Sequence, residues 1–420
     1  MLFIKIYLNS LKQIKAELFS YLFLFLQFVV FSRIVWQFGT DEFIVINLGI
    51  SILFCIIKTR YVFNNKLFYI IFVFILLNVI PFLTFGWKPN TFIGYLIRLA
   101  TAFFILYSLK NKFIEYFENL VFILASISLI FFIIQIINPE FFRLFNPISD
   151  AVLFKIMKIP GREGFSHQYL FVYLFNGWGI LRNSGFMSEP SAFGAVLTWA
   201  MLINLFFNKF RINFRFAIMF TAAITTFSVG TFLYLFLMVL TLIIQGRISS
   251  NITKAIFLSG LVFIILFNLN ITSFNLNMMK EKIETEPLKI AAARAGRSDA
   301  SDISRVASFD INIKYFLKWP LGYGYGIERG TEFLYLGQSP NGLMTIMVTW
   351  GIFGLYFLAL GFYKLTIKLR EKYSVSLKPL TKIAVLILFI LPISGFSFHN
   401  QQMFLALILA GYLYRVKKTT

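Results

Sequence analysis

Residues 216–245, FAIMFTAAITTFSVGTFLYLFLMVLTLIIQ, decide how this chain is arranged. The stretch is 30 residues long and contains no charged side chain. A single membrane-spanning helix needs only about 20 apolar residues. The turn-forming sequence TTFSVG, at 225–230, lies near the middle of the stretch. The stretch is therefore either one long helix or two short helices that form a hairpin.

Apolar runs of similar character recur along all 420 residues, of which 59% are hydrophobic, and the mean hydropathy is +0.78. A soluble domain cannot bury that much apolar surface, so the composition predicts an all-α polytopic membrane protein. The single cysteine, Cys55, provides neither a disulfide framework nor a cysteine-based metal site. The other candidate spans are 19–36, 43–57, 67–85, 91–109, 117–137, 190–207, 254–271, 341–363, 382–393 and 401–414.

The placement of basic residues favours the hairpin, because lysine and arginine collect on the cytoplasmic side of membrane proteins. The basic clusters lie at 5–15, 58–66, 110–112, 209–215, 247–254, 364–382 and 415–418. A hairpin at 216–245 places all of them on one side, whereas a single helix places the later ones outside. We therefore predict one integral membrane domain, 1–420, with about twelve transmembrane helices and both termini in the cytoplasm.

This topology leaves two large periplasmic loops, at 138–189 and 273–340. Large loops on one face usually carry function, because the helices position them and solvent reaches them. The alternative is that they only cap the helices. The net charge of +21 reflects topology and attraction to anionic membrane lipid rather than nucleic-acid binding.

The first loop ends in RNSGFMSEPSAFGAVLTW, at 182–199, where charges stand at the start of an apolar run. Pro190 suits the first turn of a helix, with Ser188 or Glu189 at the N-cap. In a structural interpretation Glu189 caps the helix and Arg182 pairs with it. In a functional interpretation Arg182 faces an anionic substrate and Glu189 accepts a proton. The residues alone leave both open.

The second loop contains Arg294, Arg297 and Arg305, whose guanidinium groups are suited to phosphate oxygens. An amphipathic stretch at 306–316 predicts a helix along the membrane surface, and GYGYG at 322–326 permits tight turns near a ligand. The glycine spacing is not that of a dinucleotide site. Asp299 and Asp302 could bind a divalent cation, but carboxylates on such a loop are more often solvated.

Three further residues are candidates for function. Arg98 lies within a predicted span, where an arginine either faces a cavity or extends to the outer interface; we favour the cavity. His167 and His399 are the two histidines and could act as bases at neutral pH. His399 follows a predicted span and suits an interfacial position, so His167 is the better candidate.

Four segments resemble the O-antigen polymerase and ligase superfamily, and in particular bacterial O-antigen and capsule repeat-unit polymerases. RNSGFMSEPSAFGAVL resembles their R-x-x-G-x-x-x-E-P-S segment, and TTFSVGTFL is similar to their T-x-S hairpin. SDISRVASFDINIKYFLKWPLGYGYG resembles their S-x-R…P-L-G-x-G element, and SPNGLMTIMVTWGIFGLYFL resembles the following span. The likeness covers roughly 182–358. It departs from the family at Val229, where an arginine is usual, and at Pro340, where ligases carry a histidine.

The resemblance implies a GT-C-like glycosyltransferase in the bacterial inner membrane. It would polymerise polyprenyl-pyrophosphate-linked oligosaccharide repeat units into O-antigen or capsular polysaccharide by inverting transfer, without a metal or other cofactor. Both donor and acceptor would be lipid-linked glycans, with a chain-length-determining co-polymerase as a further partner. The alternatives are an O-antigen ligase and, in another class, a flippase or transporter of lipid-linked oligosaccharides.

The same resemblance implies roles for individual residues. Pyrophosphate is a good leaving group that needs charge neutralisation, so Arg182 and Arg305 are expected to contact it. The attacking hydroxyl needs a base, for which Glu189 is the first choice and His167 the second. The supporting pyrophosphate contacts are assigned to Arg297, Arg98, Tyr323, Tyr325 and Asn341.

Overall fold

The structure is a computed structural model. It describes residues 17–30, 41–59, 65–85, 89–138, 140–141, 168–169, 172–175, 182–247, 305–324, 342–395 and 401–413. The first helices are α1 (Glu17–Val30), α2 (Asp41–Thr59), α3 (Asn65–Phe85), α4 (Pro89–Leu109) and α5 (Phe113–Ile137). The middle helices are α6 (Pro190–Phe207), α7 (Phe214–Ile224), α8 (Val229–Ile244) and α9 (Arg305–Lys318). The last are α10 (Gly342–Lys372), α11 (Pro379–Ile390) and α12 (Gln402–Leu413). Two short strands, β1 (Gln168–Tyr169) and β2 (Leu174–Phe175), pair antiparallel.

The apolar runs of the sequence form helices suited to a membrane. Within the described residues, 6 helices are long and apolar enough to cross one, namely α2 to α6 and α10. The shorter apolar helices are α1, α7, α8, α11 and α12. The helical, membrane-compatible class predicted from composition is therefore confirmed. The predicted span at 254–271 lies outside the described residues, and the total of about twelve spans stays a prediction.

The long apolar stretch at 216–245 is divided as predicted. Helix α7 ends at Ile224 and α8 begins at Val229, with the TTFS turn between them. Asn213 caps α7 by accepting a hydrogen bond from the Phe216 backbone N–H at 2.9 Å. At 11 and 16 residues, these helices extend about 16 and 24 Å, less than the full hydrocarbon thickness.

Helix α6 lies at the centre of the bundle. Every residue from Ser191 to Phe206 is buried, and the helix packs against α5, α7, α8 and α11. Trp199 donates its indole N–H to the Phe389 carbonyl of α11 at 2.9 Å. Helix α3 is the opposite case, since large apolar side chains such as Phe68, Phe72 and Leu83 are exposed on it. A helix that is apolar all round is buried by protein or by lipid, and these two helices represent the two situations.

Ion pairs between distant segments gather at one end of the bundle, called here the charged end. They join Glu17 to Lys112 at 2.8 Å, Glu115 to Lys372 at 2.6 Å and Glu118 to Arg215 at 2.8 Å. All of these residues were predicted to lie on the cytoplasmic side. The contacts confirm that their segments share one end of the bundle. Which side of a membrane that end faces stays a prediction.

The α7–α8 pair begins and ends at the charged end. Arg215, at the start of α7, pairs with Glu118 of α5. Gln245, which follows α8, donates to the Ser376 carbonyl at 2.7 Å, in the connection that follows α10 and Lys372. Both ends of the pair therefore lie near residues of the charged end, and the turn between them points away from it. This is the hairpin arrangement predicted from the basic clusters.

Helix α10 is broken at Gly351, where the sequence had predicted a continuous span at 341–363. Gly351 adopts φ +62 and ψ −156, a conformation in effect available only to glycine. Segment 320–324, which follows α9, fills the break by exchanging backbone hydrogen bonds with α10. These run from Tyr323 N to Val348 O (2.8 Å), from Gly324 N to Thr349 O (2.8 Å) and from Ile352 N to Pro320 O (2.9 Å). Interior backbone groups must be paired, so α9 and α10 form one unit.

Candidate functional site

The segment from Arg182 to Glu189, which leads into α6, is the centre of the candidate site. Its residues 183 to 187 are buried although they form no helix. The segment is anchored to Ser128, which lies about 20 Å along α5 from Glu115 of the charged end. Irregular backbone at such a depth persists only where it is enclosed by protein or lines a polar cavity. This part of the predicted outer loop 138–189 is therefore packed into the bundle rather than exposed to solvent.

Asn183 fixes the segment through four hydrogen bonds. Its side-chain amide donates to Ser128 Oγ of α5 at 3.2 Å and to Thr225 Oγ1, in the α7–α8 turn, at 2.9 Å. Its backbone N–H donates to the Thr225 carbonyl at 2.9 Å, and its Oδ1 accepts from the Gly185 N–H at 2.9 Å. The asparagine joins α5, the turn and the segment. Two of the motifs quoted above, RNSG and TTFS, are thus in direct contact.

Gly185 allows the segment to turn against α6. It has φ +51, and a Cβ atom at this position would lie 2.5 Å from the Phe193 ring of α6. The ring is itself fully buried and packs edge-on against Phe186, with centroids 5.6 Å apart. Glycine is therefore required both by backbone conformation and by the close approach.

The small β-ribbon is hydrogen-bonded to the segment. The Leu174 N–H donates to the Gly185 carbonyl at 2.6 Å. The neighbouring Tyr173 is buried, and its hydroxyl donates to Gln135 Oε1 of α5. Burial raises the pKa of this hydroxyl well above its usual range, so Tyr173 stays neutral. The ribbon thus carries a hydrogen-bond donor to α5 about 10 Å beyond Ser128.

Arg182 stands at the start of this segment with part of its guanidinium inside the protein. Its Nε is buried and has no hydrogen-bond partner in the described structure. Desolvation lowers the pKa of the guanidinium, which nevertheless remains protonated at neutral pH. The structural interpretation required an ion pair between Arg182 and Glu189. Within the described residues no ion pair joins the two. A buried N–H group without a partner is unfavourable, and an anionic ligand that accepts its hydrogen bond would offset that cost.

Glu189 occupies the N-cap position of α6, as the sequence predicted. Its backbone is extended, Pro190 begins the helix, and its carbonyl accepts the Phe193 N–H at 3.1 Å. The carboxylate makes no capping hydrogen bond and instead accepts from the Ser191 hydroxyl at 3.3 Å. Glu189 is exposed. The carboxylate is thus hydrogen-bonded to Ser191 and not to the backbone N–H groups at the start of α6. This placement is compatible with proton transfer.

The α9–α10 unit positions two other predicted residues. Arg305 is the first residue of α9, and the side chain of Arg305 lies outside the described part. The predicted helix at 306–316 is confirmed. Tyr323 is buried, packs against Phe85 with centroids 4.7 Å apart, and donates its hydroxyl to the Tyr315 carbonyl at 3.2 Å. Its observed contacts are thus those of a core residue, and a contact with pyrophosphate stays a prediction.

Arg98 is half-buried in α4, one turn after Tyr95. Tyr95 packs edge-on against Trp350, immediately before the α10 break, with centroids 5.1 Å apart. No hydrogen bond or ion pair of the described residues joins Arg182 to Arg98 or Tyr323. His167, Arg297, Tyr325 and Asn341 lie outside the described residues, as do Asp299, Asp302 and His399.

Sequence reasoning did not identify Asn183, Ser128 or Gly351 as parts of the site. Asn183 could have been noticed as an amide beside the arginine of the quoted motif. Nothing in the sequence of α5 distinguishes Ser128 from other helix serines, because its partner lies 55 residues away. As for metals, no group of three or more His, Cys, Asp or Glu side chains suited to a metal occurs in the described parts of the chain.

Comparisons with known proteins give no relative: no protein-family model matches the chain, and neither curated proteins nor solved structures do so.

Proposed function

We propose that this chain is a multi-pass glycosyltransferase of the bacterial inner membrane, with about twelve spans of GT-C-like architecture and both termini in the cytoplasm. On the periplasmic face it joins polyprenyl-pyrophosphate-linked oligosaccharide repeat units into O-antigen or capsular polysaccharide. Its partners are the lipid-linked donor and acceptor glycans, membrane lipid and a chain-length-determining co-polymerase. The reaction uses no metal.

The observation that carries the proposal is the buried Nε of Arg182, which has no partner within the described structure. The segment that is packed into the bundle holds this arginine near the N-terminus of α6. The anion of a membrane-bound lipid pyrophosphate matches it in charge and in depth. Arginine is suited to the role because it stays protonated in a desolvated site and presents several donors in fixed geometry.

The chemistry is a single displacement at the anomeric carbon of the donor. An acceptor hydroxyl forms a new bond to that carbon as the bond to the pyrophosphate oxygen breaks, which inverts the configuration. The hydroxyl proton passes to the Glu189 carboxylate, and polyprenyl pyrophosphate leaves with the bonding electrons. Arg182 stabilises the negative charge that develops on the leaving oxygen, an effect worth about 10²- to 10³-fold for one such donor in other enzymes.

The remaining assigned residues extend this site. Arg305 begins a helix that the α10 break fixes in place, and it would neutralise the second phosphate. Arg98 and Arg297 add positive charge, Tyr323, Tyr325 and Asn341 complete the pyrophosphate contacts, and His167 is the alternative base. The position of the Arg182 segment away from the charged end supports a periplasmic site, because positively charged connections face the cytoplasm.

The test is reconstitution of the purified chain in vesicles with lipid-linked repeat units, with the products resolved as a ladder on a gel. Arg182→Ala should remove long products, and Glu189→Gln should slow turnover about a hundredfold or more. Arg211→Ala, at an exposed arginine between α6 and α7, is the matched control and should polymerise normally. A full ladder from Arg182→Ala would contradict the assignment of this residue.

The product also separates the alternatives. A polymerase yields lipid-linked ladders, whereas a ligase moves glycan to a different acceptor and leaves the ladder unextended. A flippase changes which side of the vesicle the short glycan occupies and forms no new glycosidic bond. Failure of the wild-type chain to form bonds between repeat units would refute the proposed reaction.

A further inference from the structure

We infer that Ser184 is a second ligand-contacting residue of this site, and that its hydroxyl donates a hydrogen bond to a phosphoryl oxygen held by Arg182. The inference rests on the proposed function, since the phosphoryl group is taken to be that of the lipid pyrophosphate.

The first observation is the state of the Ser184 hydroxyl. The residue is fully buried, and its Oγ has no hydrogen-bond partner in the described structure. Several other buried hydroxyls of this chain donate to a carbonyl one helical turn back, as Ser108 does to Phe104 at 2.6 Å and Thr198 does to Gly194 at 2.8 Å. Those of Thr231 and Thr381, both within helices, have no partner in the described structure, as is the case for Ser184. Ser184 lies outside any helix and lacks such a carbonyl. A buried hydroxyl left without a partner is unfavourable unless a ligand satisfies it.

The second observation is the direction of its neighbours. The Asn183 side chain points toward α5 and the α7–α8 turn, where it binds Ser128 and Thr225. In an extended stretch, successive side chains point to opposite sides and residues two apart share a side. Residues 182–184 belong to no helix. We therefore place Arg182 and Ser184, which both have a buried atom without a partner among the described residues, on the side away from Asn183.

The chemistry of the pair selects an anion. A guanidinium offers only donors, and its positive charge repels a cation. A serine hydroxyl beside it can donate to the same ligand, and hydrogen bonds to charged oxygens are stronger than neutral ones. A phosphoryl group has enough oxygens to accept from both residues at once. Ser184 would therefore contribute to affinity for the pyrophosphate without adding charge.

The experiment measures binding of inorganic pyrophosphate to the purified full-length chain in detergent by isothermal titration calorimetry. Ser184→Ala should raise the Kd about tenfold, the effect of one hydrogen bond to a charged group. Its unfolding temperature should stay at or slightly above the wild-type value, because the deleted hydroxyl has no partner within the protein. Ser108→Ala removes a buried hydroxyl that is already satisfied and should leave the Kd unchanged.

An unchanged Kd in Ser184→Ala would overturn the inference, and so would a weakened Kd matched by Ser108→Ala. A parallel titration with short-chain phosphatidylglycerol tests the other source of a phosphate. If that lipid binds more tightly than pyrophosphate and its binding depends on Ser184, the assignment to pyrophosphate is wrong.

Turnover of lipid-linked repeats separates this inference from the proposed function. If the wild-type chain binds pyrophosphate through Ser184 but forms no glycosidic bond, the anion site is supported and the proposed reaction is refuted. A chain that polymerises while Ser184→Ala binds pyrophosphate normally would retain the reaction and lose the inference.

Discussion

Replacement of Gly185 by alanine should destabilise the protein strongly, because this position combines a left-handed backbone with a close approach to α6. The position has φ +51, and the new Cβ would lie 2.5 Å from Cζ of the Phe193 ring. The ring cannot move freely, because Phe193 is fully buried and packs edge-on against Phe186. The backbone cannot move freely either, because Gly185 bonds to Asn183 and Leu174.

The magnitude follows from two contributions. A non-glycine residue in a left-handed conformation costs about 1–2 kcal/mol. Forcing an extra methyl group into a packed interior costs about 1–3 kcal/mol. Their sum is about 2–5 kcal/mol, a large fraction of the free energy of unfolding of a typical protein. A displacement of the Gly185 backbone would also move Asn183, to which it is hydrogen-bonded. The Gly185→Ala mutant should therefore bind pyrophosphate more weakly.

The assay is equilibrium unfolding of the purified protein in mixed micelles, followed by tryptophan fluorescence as the denaturing detergent is increased. Gly94→Ala is the matched control, since Gly94 is a helical glycine of α4 around which nothing lies within 4 Å of an added Cβ. It should be neutral or stabilised by up to about 1 kcal/mol through helix propensity. Equal unfolding free energies for Gly185→Ala, Gly94→Ala and the wild type would refute the argument.

Two further substitutions test the parts that hold the site. Gly351→Ala should be destabilised by at least about 3 kcal/mol, because φ +62 is unfavourable for alanine and the added Cβ would overlap the Leu321 backbone. If this variant unfolds thermally at the wild-type temperature, the interruption of α10 at Gly351 is wrong. Thr225→Val removes the hydroxyl that accepts from Asn183, and should lower pyrophosphate affinity several-fold by titration calorimetry. Thr221→Val is the control, since the exposed Thr221 hydroxyl only donates to its own helix. The two variants should differ in their affinity for pyrophosphate.

Much of the helical framework can be predicted from local sequence. The predicted span 190–207 coincides with α6, because Pro190 fixes where that helix starts and the apolar run fixes its length. The division of 216–245 into α7 and α8 was predicted from the turn residues and the basic clusters. These features depend on backbone preferences and on transfer of side chains out of water, which neighbouring residues determine largely by themselves.

The arrangement of the candidate site depends on partners that are distant in sequence. Asn183 is held by Ser128 and Thr225, which are 55 and 42 residues away, so no window of sequence contains the contact. Gly351 lies in an apolar run that predicts an unbroken span, and the break is satisfied only because segment 320–324 supplies replacement hydrogen bonds.

The sequence by itself thus determined that the chain is helical, that its apolar runs suit a membrane, and where one hairpin turns, because hydropathy and turn chemistry act over a few residues. The tertiary structure alone decided that residues 183–187 enter the bundle and that α10 is interrupted. The physical reason is that a buried peptide group must be paired, and outside a helix its partner can come from any part of the chain.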